Sequence, residues 1–200
     1  SARVFAQVRL AEGVSAASID AGDLAFLTRA RSVQADRLPL SAAADAATQG
    51  SLAFWPVHDL DLHAGNHEIG LHHWGDPDAV LARGATTGWL RDPGRLVRLA
   101  AGDVLVLVQS RDPATGRAAD ADPAARQAVR LIAEPRELVD PLEQVDTGGG
   151  PEDLPLLEIR WHPEDALGFD LCVGRRPEGA PPLAVVLGNI VLADHGLTVE

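Results

Sequence analysis

Apolar residues in this chain alternate with polar ones over short runs, and each run is closed within a few positions by glycine, proline or an Asp-containing turn. That is the grammar of strands. Val4, Ala6, Val8 and Leu10 alternate with Phe5, Gln7 and Arg9. The turn Asp20-Ala21-Gly22-Asp23 feeds the apolar run 24–27, and Ala101-Gly102-Asp103 feeds the run 104–108, which its continuous apolar character predicts to be covered on both faces. Leu157, Ile159 and Trp161 alternate with Glu158 and Arg160, and Pro163-Glu164-Asp165 has the proline and acidic residues of a very short helix start. Segment 110–126 is dense in turn signals before 128–132 resumes an extended pattern, which predicts a hairpin with a long decorated loop. Gly188-Asn189 between the runs 183–187 and 190–193 predicts a second, tight hairpin. The alanine-rich stretch 41–49 fits either a short helix or a loop. With 19 glycines and 14 prolines as punctuation, these segments predict an all-β fold, barrel- or sandwich-like, with short strands, long loops and at most short helices.

Two hundred residues are enough for one substantial core, and the expectation is a single β-rich domain over 1–200. Between Glu134 and Glu158 eight carboxylates face one positive residue, Arg136, and the stretch contains Gly148-Gly149-Gly150-Pro151. It is expected to form a flexible acidic, glycine-rich loop around 140–155. The absence of methionine, even at position 1, points to a processed chain or an excised piece of a longer one. No apolar stretch approaches the ~20 residues that span a bilayer, and no signal peptide opens the chain, so the default compartment is the cytoplasm.

The formal charge of −12 repels phosphate backbones and anionic membranes, so no nucleic-acid partner and no membrane insertion are expected. All 17 cationic side chains are arginine, and lysine and tyrosine are absent. A P-loop lysine, a Schiff-base lysine and a tyrosine acid are therefore excluded within this chain. Cys172 lies in an apolar run and is expected to be a buried small hydrophobe.

The sharpest chemical signal is His58, His63, His67, His72 and His73, five imidazoles in sixteen residues, with Asp59, Asp61 and Glu68 between them. Imidazole with carboxylate suits zinc. Against it, His63 and His67 share a face only on a helix, and Ala64-Gly65-Asn66 reads as a turn between two strand-like runs. His58, His63, His67 and His72 are thus the metal candidates of a chain for which no metal or cofactor is expected. Asp194-His195-Gly196 resembles the acid–base half of a triad, but no nucleophile elbow accompanies it, and adjacent strand residues point to opposite faces. Glu164 and Asp165 are adjacent carboxylates, and Asp112, Asp120 and Asp122 fit no calcium loop. No catalytic residue is assigned, and the chain is expected not to be an enzyme.

Four blocks in order carry a resemblance. Trp74-Gly75-Asp76 leads to Gly84-Ala85-Thr86; Gly102 and Asp103 open a block ending at Leu131; Trp161 leads to Asp165-Ala166-Leu167; and Gly188-Asn189 leads to Asp194-His195-Gly196. Together they resemble baseplate assembly proteins of phage-tail-like contractile injection systems. The chain departs from that pattern at Ala79-Val80-Leu81-Ala82, where the family has cysteine and Leu-Pro, and at 168–172. The resemblance implies a structural role within the baseplate, through interfaces with baseplate, spike or sheath-proximal proteins. It also implies assembly in a bacterial cytoplasm and incorporation into the injection particle. Two other classes stay open: a metal-dependent hydrolase using the histidines at 58–73, and a carbohydrate- or cell-surface-binding module presenting tryptophan.

Overall fold

The computed structural model describes residues 3–28, 51–177 and 179–195; the 41–49 stretch and Gly196 lie outside them. Strands run in chain order as β1 (Arg3–Gln7), β2 (Ala16–Ile19), β3 (Phe26–Leu27), β4 (Ala53–Pro56), β5 (Leu60–His63), β6 (Ile69–Gly70), β7 (Val80–Leu81) and β8 (Thr87–Arg91). They continue as β9 (Val104–Gln109), β10 (Arg126–Arg130), β11 (Arg136–Asp146), β12 (Pro151–Arg160), β13 (Leu171–Cys172), β14 (Ala184–Leu187) and β15 (Ile190–His195). The described helical elements are three-residue 3-10 turns, such as Ala21–Asp23 and Pro163–Asp165. The chain is all-β. Among the described residues no helix is long and apolar enough to cross a membrane.

Where one domain was expected, the chain divides into two compact units, Ser1–Leu62 with Ile190–Glu200, and His63–Asn189. In the first, an antiparallel sheet runs β1-β15-β4-β3 and β2 pairs with β5. Leu60 and Leu62 of β5 point inward with Val191, while Asp59 and Asp61 accept hydrogen bonds from Ala21 N–H (2.9 Å) and the Ser18 hydroxyl (2.6 Å). Period-two alternation therefore sorts apolar from polar side chains along this strand.

The second unit holds the sheets β10-β9-β14-β6 and β11-β12-β8 and the pair β13-β7. Single bridges, Leu71 to Leu90 and Leu131 to Trp161, stitch the two larger sheets. Their shared core includes Leu90, Leu105, Leu107, Ile159 and Trp161. β9 and β10 form the predicted hairpin with its long loop, but only one face of β9 is fully buried, at Leu105, Leu107 and Gln109.

Two expectations are corrected. The acidic stretch around 140–155 is a long hairpin, β11 against β12, closed by a glycine turn in which Asp146 Oδ1 accepts from Gly148 N–H (2.8 Å) and Gly150 N–H (3.2 Å). Its charge does not keep it loose, because the strand period sends Glu137, Asp146 and Asp153 to solvent while Leu154 and Leu156 are buried. Arg136 also pairs with Glu158 across the ladder. The second correction concerns Gly188-Asn189, which does not close a hairpin. β14 already has β9 and β6 on its two edges, and β15 pairs with β1 and β4. Asn189, at φ +53°, instead accepts from His63 N–H (3.1 Å) and donates to His63 C=O (2.9 Å), while Gly188 N–H donates to Asn66 C=O (2.8 Å). Two asparagines thus do the work of backbone here, since Asn66 likewise accepts from Arg98 N–H (2.8 Å).

The turn 64–66 sits so close to 96–98 that a Cβ on Gly65 would lie 2.2 Å from the Leu96 carbonyl oxygen. Backbone cannot yield there as a flexible side chain would. Gly65→Ala is expected to lower unfolding free energy in urea by at least about 2 kcal/mol, whereas Gly149→Ala, which meets nothing within 4 Å, should stay within about 0.5 kcal/mol. Equal effects would contradict this packing.

Candidate functional site

The sequence β8 ends in Arg91, and its neighbours deliver three other charged or titratable groups to it. His72 follows the Leu71–Leu90 bridge and donates its N–H to Trp89 C=O (2.8 Å), which turns its side chain inward, fully buried. On the other side, β12 pairs with both β8 and β11, with Leu156 opposite Arg91 and opposite Leu138. Two residues beyond Leu138 the ladder breaks: Asp140 pairs with Leu154 but the next pair is Gln144 with Asp153. Pro141 is the cause, because it has no N–H to give the ladder. Asp140 Oδ1 accepts from Leu142 N–H (2.9 Å) and holds the bulge. The extruded residues send Leu142 into solvent, 94% exposed, and return Glu143 onto Arg91.

The neighbouring groups assign the ring proton. Arg91 Nη1 lies 3.4 Å from His72 Nδ1, and a guanidinium only donates, so Nδ1 is the acceptor and the ring proton sits on Nε2. From there it is donated to Asp140 Oδ2 at 3.0 Å. Arg91 also clasps Glu143 with both terminal nitrogens, one at 2.9 Å and the other closer. Burial, and then the Arg91 charge, holds the His72 imidazole below its ordinary range, and the same two causes act on His73. Hydrogen bonding from Arg91 holds the Glu143 carboxyl below the usual carboxylate range.

The next three residues form a turn with an uncommon occupant. Asp76 N–H donates to His73 C=O (3.0 Å), and Trp74 and Gly75 have φ of +52° and +78°. That turn favours Asn-Gly; tryptophan in this region is strained by roughly 1–2 kcal/mol. Edge-on ring contacts to His72 (4.7 Å) and Trp89 (5.7 Å) hold it, and Gly75 N–H donates to His73 Nδ1 (2.9 Å). Trp74 is nevertheless 48% exposed.

Chemically, this constellation is saturated. Asp140 orients His72 as an acid orients the base of a triad, but the other ring nitrogen faces a cation and no solvent. His72, Asp140 and Glu143 place one ligand atom each within 4.8 Å of one another, a donor set that fits zinc. The guanidinium of Arg91 already binds two of the three, so a metal would have to displace it.

Of the four histidines named as metal candidates, only His72 belongs to this group. His58 is exposed, His67 is half-buried, and His63 uses its backbone on Asn189. Sequence reasoning missed Arg91, Asp140 and Glu143, although Asp140-Pro141 inside an alternating run was a legible signal for a ladder break. Two of the motif blocks do converge: Gly84 N–H donates to Leu167 C=O (2.7 Å), Leu167 N–H to Ala85 C=O (3.0 Å) and Trp161 N–H to Thr86 C=O (3.0 Å). Asp165 accepts from Arg130 N–H (2.9 Å), and Gln127 donates to the carbonyls of Asp165 and Ala166. Gly102, at φ +95°, and Asp103 build the turn before β9. Asp194 lies 3.8 Å from Arg3 and His195 meets Phe54 edge-on, so neither is arranged as a dyad. Asp112 and Asp122 cap their own turns through backbone N–H groups. Cys172 is half-buried rather than fully buried, and burial pushes its thiol up.

Comparison with family models, with curated proteins and with solved structures finds no match to this chain.

A depressed imidazole binds fewer protons in the folded chain than in the unfolded one, so stability is complete above about pH 6.5 and falls as acid protonates the unfolded state. Glu143 adds a further loss at lower pH, with the same sign. The urea midpoint is expected to be level from about pH 8 to about pH 7 and to decline below about pH 6.5, less steeply in His72→Gln. A midpoint that rises on mild acidification would contradict this arrangement.

Proposed function

We propose that this chain is a β-rich assembly module that acts through protein interfaces, as a structural component of the baseplate of a contractile injection particle. The observation that carries the non-enzymatic part is the closure of the His72–Asp140–Arg91–Glu143 network, in which each titratable group is held by another and the imidazole has no open side. The finer assignment is supported by the four ordered blocks, several of which serve as the turns and cross-links of one core. Its partners are then baseplate, spike or sheath-proximal proteins, met during assembly in a bacterial cytoplasm. Pull-down of the tagged full-length parent from its native cells, with mass spectrometry and electron microscopy, is expected to return sheath, tube and spike proteins with contractile particles. An eluate of bait alone, from cells making such particles, would contradict it.

A second reading is favoured by the convergence of His72, Asp140 and Glu143: a metal-dependent hydrolase. Under the assembly reading, added zinc leaves the melting temperature unchanged because Arg91 holds the ligands. Stoichiometric zinc that raises the melting temperature and is lost in His72→Ala would establish the hydrolase instead.

A further inference from the structure

Beside the network lies a cleft of about 690 Å³, walled by the Trp74 turn, by residues 173–176 and by the β11 bulge. That volume falls in the ~300–1,000 Å³ typical of binding pockets. Its two carboxylates are engaged, Asp140 by a hydrogen bond from the neutral His72 ring and Glu143 by the charge of Arg91. Arg175 and Arg176 are different: among the described residues neither has a carboxylate within ion-pair distance, and Arg176 Nε is buried without a hydrogen-bond partner. In a chain of net charge −12, two lining arginines without an ion-pair partner, Arg175 exposed and Arg176 half-buried with its guanidinium over Gly116, mark a place that attracts anions.

Their positions are built into the backbone. A Cβ on Gly174 would lie 1.9 Å from the Pro77 carbonyl oxygen, so only glycine lets 173–176 pass this closely, and Arg175 N–H then donates to Asp76 C=O (2.9 Å). The Arg176 guanidinium lies directly over Gly116, where a Cβ would meet Nη2 at 2.4 Å. The same cleft is lined by two apolar side chains that ordinary folding would hide: Trp74, displayed on a strained turn, and Leu142, 94% exposed on the extruded bulge.

We propose that this cleft docks an extended segment of a partner protein that presents a carboxylate beside a large apolar side chain. The carboxylate meets Arg175 and Arg176, and the apolar side chain seats between Trp74 and Leu142. A protein segment fits better than a small carboxylate because Leu142 stands clear of the surface. A chain crossing the rim covers it, whereas a molecule held inside leaves it wet. This assignment rests on the reading of the chain as an assembly module, but the two tests are separate. Particle proteins could co-purify with the parent even if this cleft binds nothing.

Fluorescence anisotropy with four labelled peptides of about ten residues, Gly/Ser throughout except at the centre, tests it. The centres are Leu-Asp-Phe-Asp, Leu-Lys-Phe-Lys, Leu-Ser-Phe-Ser and Ser-Asp-Ser-Asp. The first is expected to bind at least about tenfold more tightly than the others, and more weakly as salt rises. Arg175→Glu, at an exposed position, should remove that preference and favour the lysine peptide. Trp74→Asn, which suits the turn, and Leu142→Ser should each weaken binding about threefold or more at an unchanged melting temperature. Equal binding of all four peptides, no binding by any, or variants that bind as the parent does would overturn the proposal. Displacement by phenylacetate at the peptide's own concentration would overturn it in favour of a small carboxylate.

Discussion

The guanidinium of Arg91 ties together the side chains of three stretches of chain that the sheet brings side by side. It stands at the end of β8, donates to the Glu143 carboxylate on the bulge of β11, and reaches the Nδ1 of His72 on the segment leading out of β6. Glu143 matches the charge of this half-buried cation, and the neutral His72 ring supplies a further acceptor. The consequence extends outward. Glu143 turns in while Leu142 stands out at the bulge, and His72, held at both ring nitrogens by Asp140 and Arg91, meets the ring of Trp74 edge-on. The display of apolar side chains at the cleft follows from the electrostatics beneath it.

Alternation and punctuation carried the strand content into plain view. Val104 to Gln109, the long 110–125 loop and the 3-10 turn at Pro163 could be read because each depends on neighbours in sequence. Pairing was less legible. Gly188-Asn189 looked like a hairpin turn, yet both edges of β14 were claimed by β9 and β6 from far along the chain, and local turn chemistry has no knowledge of that competition. The acidic stretch is ordered for a related reason: composition counts charges, while a strand sorts them by parity, which sends Glu137, Asp146 and Asp153 outward and leaves Asp140 buried at the bulge.

The site was hidden more deeply. Clustering in sequence drew attention to five histidines, but strands disperse what sequence clusters, and only His72 entered the converging group. Its partners come from 19, 68 and 71 positions downstream, where Arg91, Asp140 and Glu143 carry nothing in their local context to connect them. Of these, only Asp140-Pro141 left a trace, as a proline within an alternating run. Such a network is assembled by register, and register is set by the whole sheet.

The protonation state of His72 reports whether this network is closed. Long-range proton–nitrogen correlation spectra of the labelled imidazole, followed from neutral to mildly acid pH and with zinc added, measure that state directly. A closed network keeps the ring neutral with its proton on Nε2, below the pH at which free imidazole titrates and in the presence of zinc. A ring that protonates at or above its ordinary range, or whose nitrogen shifts move stoichiometrically with zinc, would contradict it.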